Sequence, residues 1–329
     1  MKQRKLGQHG PLVGAVGYGA MSLTDFYGPA TDEGSLRILD ECLDLGMTHI
    51  DTSNRYGSGR SETLIGTWLK RRRGATPFSI ATKGGITANP DRPQNNEANY
   101  LQQELDASLT RLGVEMIDLY YVHRRDPALD IEAVTETLAG FIKAGKIKSF
   151  GFSEIAPTSL RRAHAIHPVA AVQSEYSLST RYPELGLVQT CAELGTTLVA
   201  FSPVGRALLT DRPHTAASIA ESPFLQGNPR FMEPNLSANL EVNARFRTLA
   251  ADFGVSAAAL AIGWLVHQGD HILPIPGTRH VAHLREVAAG GNLNLTQDDL
   301  ARIDAALPVG WAHGDRYSVA QWNGPEKYC

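Results

Sequence analysis

The feature that most constrains the fold of this chain is an alternation of short apolar runs with longer stretches of helical periodicity, repeated about eight times. Apolar and β-branched runs indicate strands, and leucines recurring every three or four positions indicate helices. The strands are predicted at 13–18, 48–51, 78–83, 117–122, 149–152, 169–173, 197–201 and 271–276. Helices are predicted between them, the clearest at 97–112, 131–144, 185–194, 240–253, 256–267, 280–289 and 297–307.

Parallel strand–helix units in this number close most simply as a (β/α)8 TIM barrel, whose active sites lie at the C-terminal ends of the strands. A doubly wound dinucleotide fold is the rival, and it requires GxGxxG at the start of a helix. Gly17 and Gly19 are not followed by a third glycine or a helical pattern. We therefore predict an α/β barrel forming one domain over residues 1–329, with an N-terminal hairpin plug around 6–12 and an extra C-terminal helix.

Two segments depart from the alternation. Residues 205–240 are rich in Pro, Ser and Asn and show little periodicity, which predicts a long functional or mobile loop. Pro274 lies inside the last predicted strand, where it is acceptable only if the ladder does not need its missing donor. The segment after residue 307 is expected to be irregular.

Composition excludes several classes of protein. The chain is 43% apolar and 20% charged with a formal net charge of -3, so it lacks the strongly basic face expected of a nucleic-acid-binding protein. It shows no apolar signal core at its N-terminus and no apolar run long enough to span a membrane. Cys42, Cys191 and Cys329 are widely spaced, which favours a reducing compartment. We expect a cytoplasmic protein.

Four chemically active side chains stand where predicted strands give way to loops. Asp51, Lys83 and His123 end successive strands, and Tyr56 follows Asp51 in the next loop, before Gly57. In a parallel α/β protein these strand ends lie on one face, so we expect the four side chains to converge. Each one alone also has a structural interpretation, as a buried ion pair, a surface tyrosine or a core imidazole.

Together the four fit proton donation to a developing alkoxide. A phenol has a pKa of about 10, and a nearby ammonium lowers it by stabilising the phenolate, while a carboxylate keeps that ammonium charged. His123 could then orient a carbonyl oxygen beside the Tyr56 phenol. No side chain supplies a hydride, so carbonyl reduction would need a cofactor. Metal and nucleophile motifs such as HExxH, GxSxG and the P-loop are absent from the sequence.

The chain resembles the aldo-keto reductase family over essentially its whole length, in a branch with pyridoxal reductases and potassium-channel β subunits. The matching pieces are, in order, HIDTSNRYGSGRSE, IATKGG, RLGVEMIDLYYVHRRDP, GKIKSFGFSE, AVQSEYSLSTR, AFSPVGR, NPRF and PIPGTR. The resemblance implies a (β/α)8 barrel and NADPH-dependent reduction of aldehydes or ketones. It also implies a catalytic tetrad of Asp51, Tyr56, Lys83 and His123, with Tyr56 as general acid.

The resemblance further implies an NADP site. Ser153 and Gln173 would hold the nicotinamide amide, and Phe201 would stack on its ring. The pyrophosphate would be lined by Ser202, Pro203, Val204 and Arg206, with Arg212 and Arg230 clamping it from the long loop. The remaining cofactor residues would be Gly277, Thr278 and Arg279 at the adenosine phosphate, together with Gly19, Met21, His283 and Glu286. A guanidinium at Arg279 favours NADP over NAD.

Three positions depart from the family pattern. Glu154 stands where many members have Asn, so one amide hydrogen bond to nicotinamide must be made differently or be lost. Val287 replaces an Asn that usually contacts adenine, and His283 replaces Arg or Gln. Cofactor affinity is therefore expected to be lower than is typical.

The substrate is expected to be a small carbonyl compound, held by loop residues including Met21, Phe26, Tyr27 and the tail near Trp311. Arg124 could meet an anionic group on that substrate, or pair with Asp126 or solvent. A different class of function is also open, a nucleotide-sensing module on the same barrel with little turnover. The oligomeric state and the direction of reaction do not follow from the sequence.

Overall fold

The computed structural model describes residues 1–72 and 74–328 and contains a parallel eight-stranded sheet whose strands neighbour one another in chain order. The first and last strands are joined by hydrogen bonds from the Gly17 amide to the Pro274 carbonyl (2.9 Å) and from the Gly19 amide to the Pro276 carbonyl (3.0 Å). The predicted (β/α)8 barrel is confirmed. Its strands are β3 (Tyr18–Gly19), β4 (His49–Asp51), β5 (Ser79–Gly84), β6 (Ile117–Val122), β7 (Ile147–Ser153), β8 (Ala171–Glu175), β9 (Thr197–Phe201) and β10 (Ile272–Pro274).

A two-stranded antiparallel hairpin, β1 (Gln3–Lys5) with β2 (Leu12–Gly14), precedes the barrel. Its Leu6 and Val13 are buried against side chains from inside the barrel, among them Leu119 and Leu273. The predicted strand over 13–18 is therefore wrong, because Val13 pairs with Arg4 in the hairpin and the barrel strand begins only at residue 18. The apolar pattern is the same in both cases, and only a distant pairing partner distinguishes them.

The helices cover the outside of the barrel with their apolar faces inward. In α3, for example, Leu101, Leu105 and Leu112 are fully buried. The helices are α1 (Asp32–Asp44), α2 (Arg60–Arg72), α3 (Ala98–Leu112), α4 (Ile131–Lys143), α5 (Pro157–Ile166), α6 (Leu187–Leu194), α7 (Ala216–Ala220), α8 (Pro223–Gln226), α9 (Asn235–Asp252), α10 (Ala257–Val266), α11 (Val281–Gly290) and α12 (Gln297–Ala306).

Residues 205–240 are more ordered than their composition predicts. They contain α7, α8 and the start of α9, and their buried side chains Ile219, Leu225, Phe231 and Leu236 form a small core of their own. These helices are too short for a periodic signal. They are fixed at their ends instead, since Thr215 and Ser218 form a reciprocal capping box at α7 and Pro223 opens α8.

The segment after α12 returns across the C-terminal ends of the strands without regular structure, as predicted. It is held by the Glu326 amide, which donates to the Glu154 carbonyl (2.8 Å), and by the Glu326 carboxylate, which pairs with Arg125 (2.8 Å). The Trp311 indole is buried in the core and donates to the Leu178 carbonyl (2.8 Å). The tail therefore lies over the same face on which the four predicted side chains converge.

Candidate active site

The ends of three adjacent strands carry the charged and imidazole groups of the predicted set. Asp51 is the last residue of β4, Lys83 lies near the end of β5, and His123 directly follows β6. The Lys83 ammonium contacts the Asp51 carboxylate and lies 3.3 Å from the Tyr56 hydroxyl. The rings of Tyr56 and His123 meet edge to face with their centroids 6.0 Å apart. The structure thus brings all four side chains together.

Tyr56 reaches this site because the loop after β4 reverses sharply. Its amide donates to the Ser53 carbonyl (3.1 Å), and the next three residues, Gly57, Ser58 and Gly59, all have left-handed backbone conformations. A Cβ at Gly57 would lie 2.8 Å from the Thr24 side chain. Glycine therefore permits both the turn and its close packing. Ser61 lies in the first turn of α2, and its hydroxyl donates to the Ala20 carbonyl (3.1 Å).

The Asp51–Lys83 ion pair is almost completely withdrawn from water, with side-chain exposures of 2% and 0%. Lys83 also donates to the Thr52 carbonyl (2.8 Å), and the Gln173 amide donates to the second oxygen of Asp51 (2.8 Å). Burial by itself would lower the pKa of Lys83. The charge of Asp51 and the contact between Lys83 and Tyr56 together outweigh burial and raise the pKa of Lys83. The ammonium beside Tyr56 is therefore charged at neutral pH.

His123 is buried beside cations, and both facts favour the neutral ring. Burial is the main cause that holds its pKa well below the usual value, and the charges of Arg124, Lys83 and Arg55 act in the same direction. Its Nδ1 lies 3.2 Å from the Ser53 hydroxyl. Sequence reasoning missed Ser53, although it lies in the same loop as Tyr56.

The residues predicted to hold nicotinamide lie beside the tetrad. Ser153 ends β7 and accepts a hydrogen bond from Arg124 (3.0 Å), and Gln173 in β8 donates to Asp51 as described. Phe201 ends β9 and is half-buried. Their assignment to the cofactor remains a prediction.

Glu154, which replaces the Asn of many family members, does not face this space as a free acid. One of its oxygens accepts from the Ser174 hydroxyl (3.0 Å) and the Glu175 amide (2.8 Å), and the other binds Arg316 of the tail. Burial alone would raise the pKa of Glu154, but Arg316 outweighs it and the pKa is lowered. The departure from the family pattern is thus coupled to the position of the tail.

A buried cluster of charges surrounds Glu175, the last residue of β8. Its carboxylate forms two hydrogen bonds with Arg206 (3.0 and 2.7 Å), and Arg230 and Arg316 each lie 3.7 Å away. Burial would raise the pKa of Glu175, but these guanidinium groups, Arg206 first, hold it at about 2. Sequence reasoning missed Glu175 and Arg316. The signal that found Asp51, an acid at the end of an apolar strand, would also have found Glu175.

The loop after β9 carries the residues predicted to line the pyrophosphate. Ser202, Gly205, Arg206 and Ala207 have left-handed backbone conformations, and the amides of Arg206 and Ala207 donate to no protein acceptor among the described residues. Successive free amides in such a conformation form a concavity suited to an anion. The Nε atoms of Arg206 and Arg316 are buried without a partner there, in a cluster of three guanidiniums and two carboxylates. This polarity fits a pyrophosphate group.

The predicted clamp residues take different positions. The guanidinium of Arg230 lies 3.7 Å from Glu175, while Arg212 is exposed and pairs with Glu286 of α11 (2.7 Å). The 212–286 pair connects the long loop to α11 across the region predicted for adenosine. In the loop after β9, Pro203 is buried and Val204 is half-buried.

The remaining predicted cofactor residues lie where the barrel closes. A Cβ at Gly277 would lie 2.5 Å from the Gly19 carbonyl, and the Thr278 carbonyl accepts from the Tyr18 hydroxyl (2.8 Å). Arg279 donates to the Tyr27 carbonyl and forms no ion pair with a described carboxylate. Met21 lies in a short 3₁₀ helix after Gly19, and the His283 ring meets that of His280 with centroids 5.0 Å apart.

Other types of site receive no support. Within residues 1–72 and 74–328, no three His, Cys, Asp or Glu side chains are grouped so as to hold a metal ion. No single described helix is long and apolar enough to cross a membrane, and α9 with α10 meets that requirement only as a pair bent by 86°. Cys42 and Cys191 are free and buried, whereas Cys329 lies outside the described residues.

Comparison with known proteins agrees with the barrel and its strand-end residues. The sequence profile of the Aldo/keto reductase family matches residues 15–308. The chain belongs to this family. It is therefore an oxidoreductase by family, and the resemblance seen in the sequence motifs is confirmed.

Named relatives extend over nearly the whole chain. The NADP(+) aldo-keto reductase yakc of Schizosaccharomyces pombe is 37% identical over 320 residues, covering 95% of this chain and 94% of the relative. A probable aldo-keto reductase of Glycine max is 36% identical over 316 residues, covering 95% and 91%. Among solved structures, the thermostable aldo-keto reductase Tm1743 bound to the inhibitor epalrestat has a TM-score of 0.76 at 25% identity, covering 93% of this chain and 100% of that one. The glycerol dehydrogenase AKR11B4 of Gluconobacter oxydans, at 24% identity, shares the fold with a TM-score of 0.81 and covers 93% and 94%.

Proposed function

We propose that this protein reduces small aldehydes or ketones to alcohols with NADPH, and that Tyr56 is the general acid. The observation that carries the proposal is the buried chain of contacts from Asp51 through the Lys83 ammonium to the Tyr56 hydroxyl, the last of them 3.3 Å long. A charged ammonium beside a phenol favours release of the phenolic proton. Family membership supplies the reaction class within which this arrangement acts.

The cofactor we propose is NADP, which is the cofactor named for the S. pombe relative. The loop 202–207, with the free amides of Arg206 and Ala207, would hold the pyrophosphate, while Ser153, Gln173 and Phe201 would hold the nicotinamide. Gln173 would keep its bond to Asp51 through one amide hydrogen and use its remaining groups for the cofactor. Bound NADPH supplies a hydride to the carbonyl carbon.

The side chains of this protein would handle the proton. Because its pKa is well below the usual value, His123 is neutral. In the tautomer that carries its hydrogen on Nε2, the ring would orient the carbonyl oxygen, and its Nδ1 would accept from the Ser53 hydroxyl 3.2 Å away. Tyr56 then donates its phenolic proton to that oxygen as negative charge develops on it. Lys83 stabilises the phenolate that remains, and Asp51 keeps Lys83 charged and oriented. General acid catalysis of this kind contributes about 10²–10⁴-fold.

The Glu175 cluster would serve this function by shaping the cofactor loop. Arg206 faces Glu175 rather than the expected phosphate, so its side chain would anchor the loop while its backbone amide meets the anion. Arg279 beside the Tyr27 carbonyl has no carboxylate partner among residues 1–72 and 74–328, and it would bind the adenosine phosphate.

The test is oxidation of NADPH, and of NADH in parallel, with 4-nitrobenzaldehyde, methylglyoxal and pyridoxal. Tyr56→Phe should lower kcat by about 10²-fold or more while NADPH binding, followed by quenching of tryptophan fluorescence, persists. Tyr182→Phe, at an exposed tyrosine, is the matched control. If the wild type and Tyr56→Phe bind NADPH equally tightly and are equally inert, the reductase is excluded and the nucleotide-sensing module replaces it.

We also propose a cytoplasmic location, because Cys42 and Cys191 are free thiols, as is usual in a reducing compartment.

A further inference from the structure

Arg124 is held next to the catalytic histidine in a fixed position. One nitrogen of its guanidinium, Nη1, donates both to the His123 carbonyl (2.7 Å) and to the Ser153 hydroxyl (3.0 Å). Its own carbonyl accepts from the Asn96 amide (3.1 Å). The side chain therefore spans from the tetrad to the residue proposed to hold nicotinamide.

The tail fixes Arg124 from the other side. Gly324 lies against its aliphatic part so closely that a Cβ there would be 2.9–3.0 Å from the Cβ, Cγ and Cδ of Arg124. Gly324 itself is held by its neighbours, since Asn323 accepts from Gln94 (2.9 Å) and Glu326 pairs with Arg125 (2.8 Å). A guanidinium that is positioned before a ligand arrives loses little entropy on binding it.

The charge of Arg124 has no ion-pair partner in the part of the chain that the structure describes. No described carboxylate lies within ion-pair distance of it, whereas Arg125 pairs with Glu326 and Arg316 with Glu154. The charge of Arg124 acts on Glu154, but both carboxylate oxygens of Glu154 already accept hydrogen bonds from other donors. The Nε and Nη2 atoms of Arg124 have no described partner and remain available as donors.

A second cation reinforces this polarity. Arg55 precedes Tyr56, is exposed and forms no ion pair with a described acid, and both Arg55 and Arg124 act on the His123 ring. A half-buried cation without a counter-ion is stabilised when a ligand supplies one, and a guanidinium binds a carboxylate or phosphate through two parallel hydrogen bonds. The approach to the tetrad thus favours a negatively charged ligand.

We propose that Arg124 is a specificity-determining residue that selects carbonyl substrates carrying a second, anionic group, a carboxylate or a phosphate, on the same small molecule. The inference rests on the proposed function, because the carbonyl oxygen must lie between Tyr56 and His123 for the anion to reach Arg124. The free donors of Arg124 bind the anion, and its Nη1 keeps its bonds to His123 and Ser153.

The experiment compares kcat/KM for 4-carboxybenzaldehyde with that for its neutral methyl ester, methyl 4-formylbenzoate, and compares pyridoxal 5′-phosphate with pyridoxal. Wild-type protein should prefer at least one anion over its neutral partner, and the pair that responds identifies carboxylate or phosphate as the group bound. Arg124→Gln should lower that preference about tenfold or more, through KM rather than kcat, since it removes a charge-assisted pair. Arg37→Gln removes the same charge from an exposed i,i+4 pair with Glu33 and should leave the preference unchanged.

Two results would overturn the proposal. If Arg124→Gln lowers kcat/KM equally for acid and ester, Arg124 only positions His123 or Ser153. If the wild type shows no preference in either pair, no anion is selected.

A binding experiment tests the proposal even if the protein turns over none of these compounds. It is calorimetric titration with 4-carboxybenzoate in the presence of NADP(+). Loss of that binding in Arg124→Gln alone would support the anion site while the reductase fails, and equal or absent binding in both proteins would reject it.

Discussion

Among the described residues, Asp51 is the carboxylate that pairs with Lys83, whose side chain is fully buried, and Asp51→Asn removes it. Leaving a buried charge unpaired costs about 3–5 kcal/mol. Lys83 can limit this loss by releasing its proton, which from an unfolded pKa near 10.4 costs about 1.4 kcal/mol per pH unit, or about 4.6 kcal/mol at pH 7. The expected loss of unfolding free energy at pH 7 is therefore about 3–5 kcal/mol.

The loss should depend on pH in a defined direction. In the wild type the pKa of Lys83 is raised, so its contribution to stability is complete below the unfolded pKa and disappears only as pH rises through the folded value. In Asp51→Asn burial would instead lower the pKa of Lys83, so the folded protein loses a proton that the unfolded chain regains. The stability of the variant then rises with pH up to about 10.4, and its deficit relative to wild type shrinks by up to about 1.4 kcal/mol per unit.

Chemical unfolding at pH 7, 8 and 9.5, followed by circular dichroism, measures this deficit. With an unfolding entropy of about 2.1 cal/mol/K per residue, a loss of about 3–5 kcal/mol lowers Tm by about 4–7 °C. Asp106→Asn, which breaks an Asp–Lys pair with Lys146 at side-chain exposures of 50% and 33%, is the control and should cost no more than about 1 kcal/mol. The reasoning is refuted if the deficit of Asp51→Asn is the same at pH 7 and pH 9.5. It is equally refuted if Asp51→Asn combined with Lys83→Met, which removes the orphaned charge, is no more stable than Asp51→Asn alone.

Two further predictions concern the buried charge cluster. Glu175→Gln should cost about 3–5 kcal/mol in urea unfolding at pH 7, since it leaves Arg206 buried without its carboxylate. Because the pKa of Glu175 is held at about 2, its contribution is complete above the unfolded value near 4.3 and is lost as pH falls toward 2, so wild type and variant should converge in stability there. Glu154→Gln should weaken the contact that holds Arg316 of the tail. It should therefore increase proteolysis beyond residue 307, which mass spectrometry of limited digests would detect. Equal digestion of wild type and Glu154→Gln would show that the Glu154–Arg316 contact is not needed to hold the tail, and that contacts such as Glu326–Arg125 and Trp311–Leu178 suffice.

The strand-end residues of the site could be predicted because their signal is local. Asp51, Lys83 and His123 each interrupt a short apolar run, and parallel strands place all such interruptions on one face. Tyr56 lies outside any described strand. It is brought to the site by a left-handed turn that begins at Gly57, and the sequence indicates this turn only by Gly57 and Gly59.

The parts that were missed depend on partners distant in the chain. Glu154 and Arg316 are 162 residues apart, and no periodicity links a strand end to an irregular tail. The same limit explains the incorrect strand over 13–18, where an apolar pattern cannot tell whether Val13 pairs with the hairpin or with the barrel. The short helices within 205–240 were missed for the opposite reason, because a local cap rather than an apolar stripe defines them.

Glu154 connects these observations to the substrate. At the position where many family members have Asn, a carboxylate binds Arg316 of the tail, and the same tail places Gly324 against Arg124. The tail thus pairs with Glu154, a described acid whose charge Arg124 feels, and it fixes the aliphatic part of the Arg124 side chain. An Asn at residue 154 would remove the anchor of Arg316, so the orientation of Arg124 would then rest on its own hydrogen bonds to His123 and Ser153. Glu154 therefore holds the tail through Arg316, and the tail in turn packs Gly324 against Arg124, so that under our proposal residue 154 would help to preorganise the cation that selects the substrate.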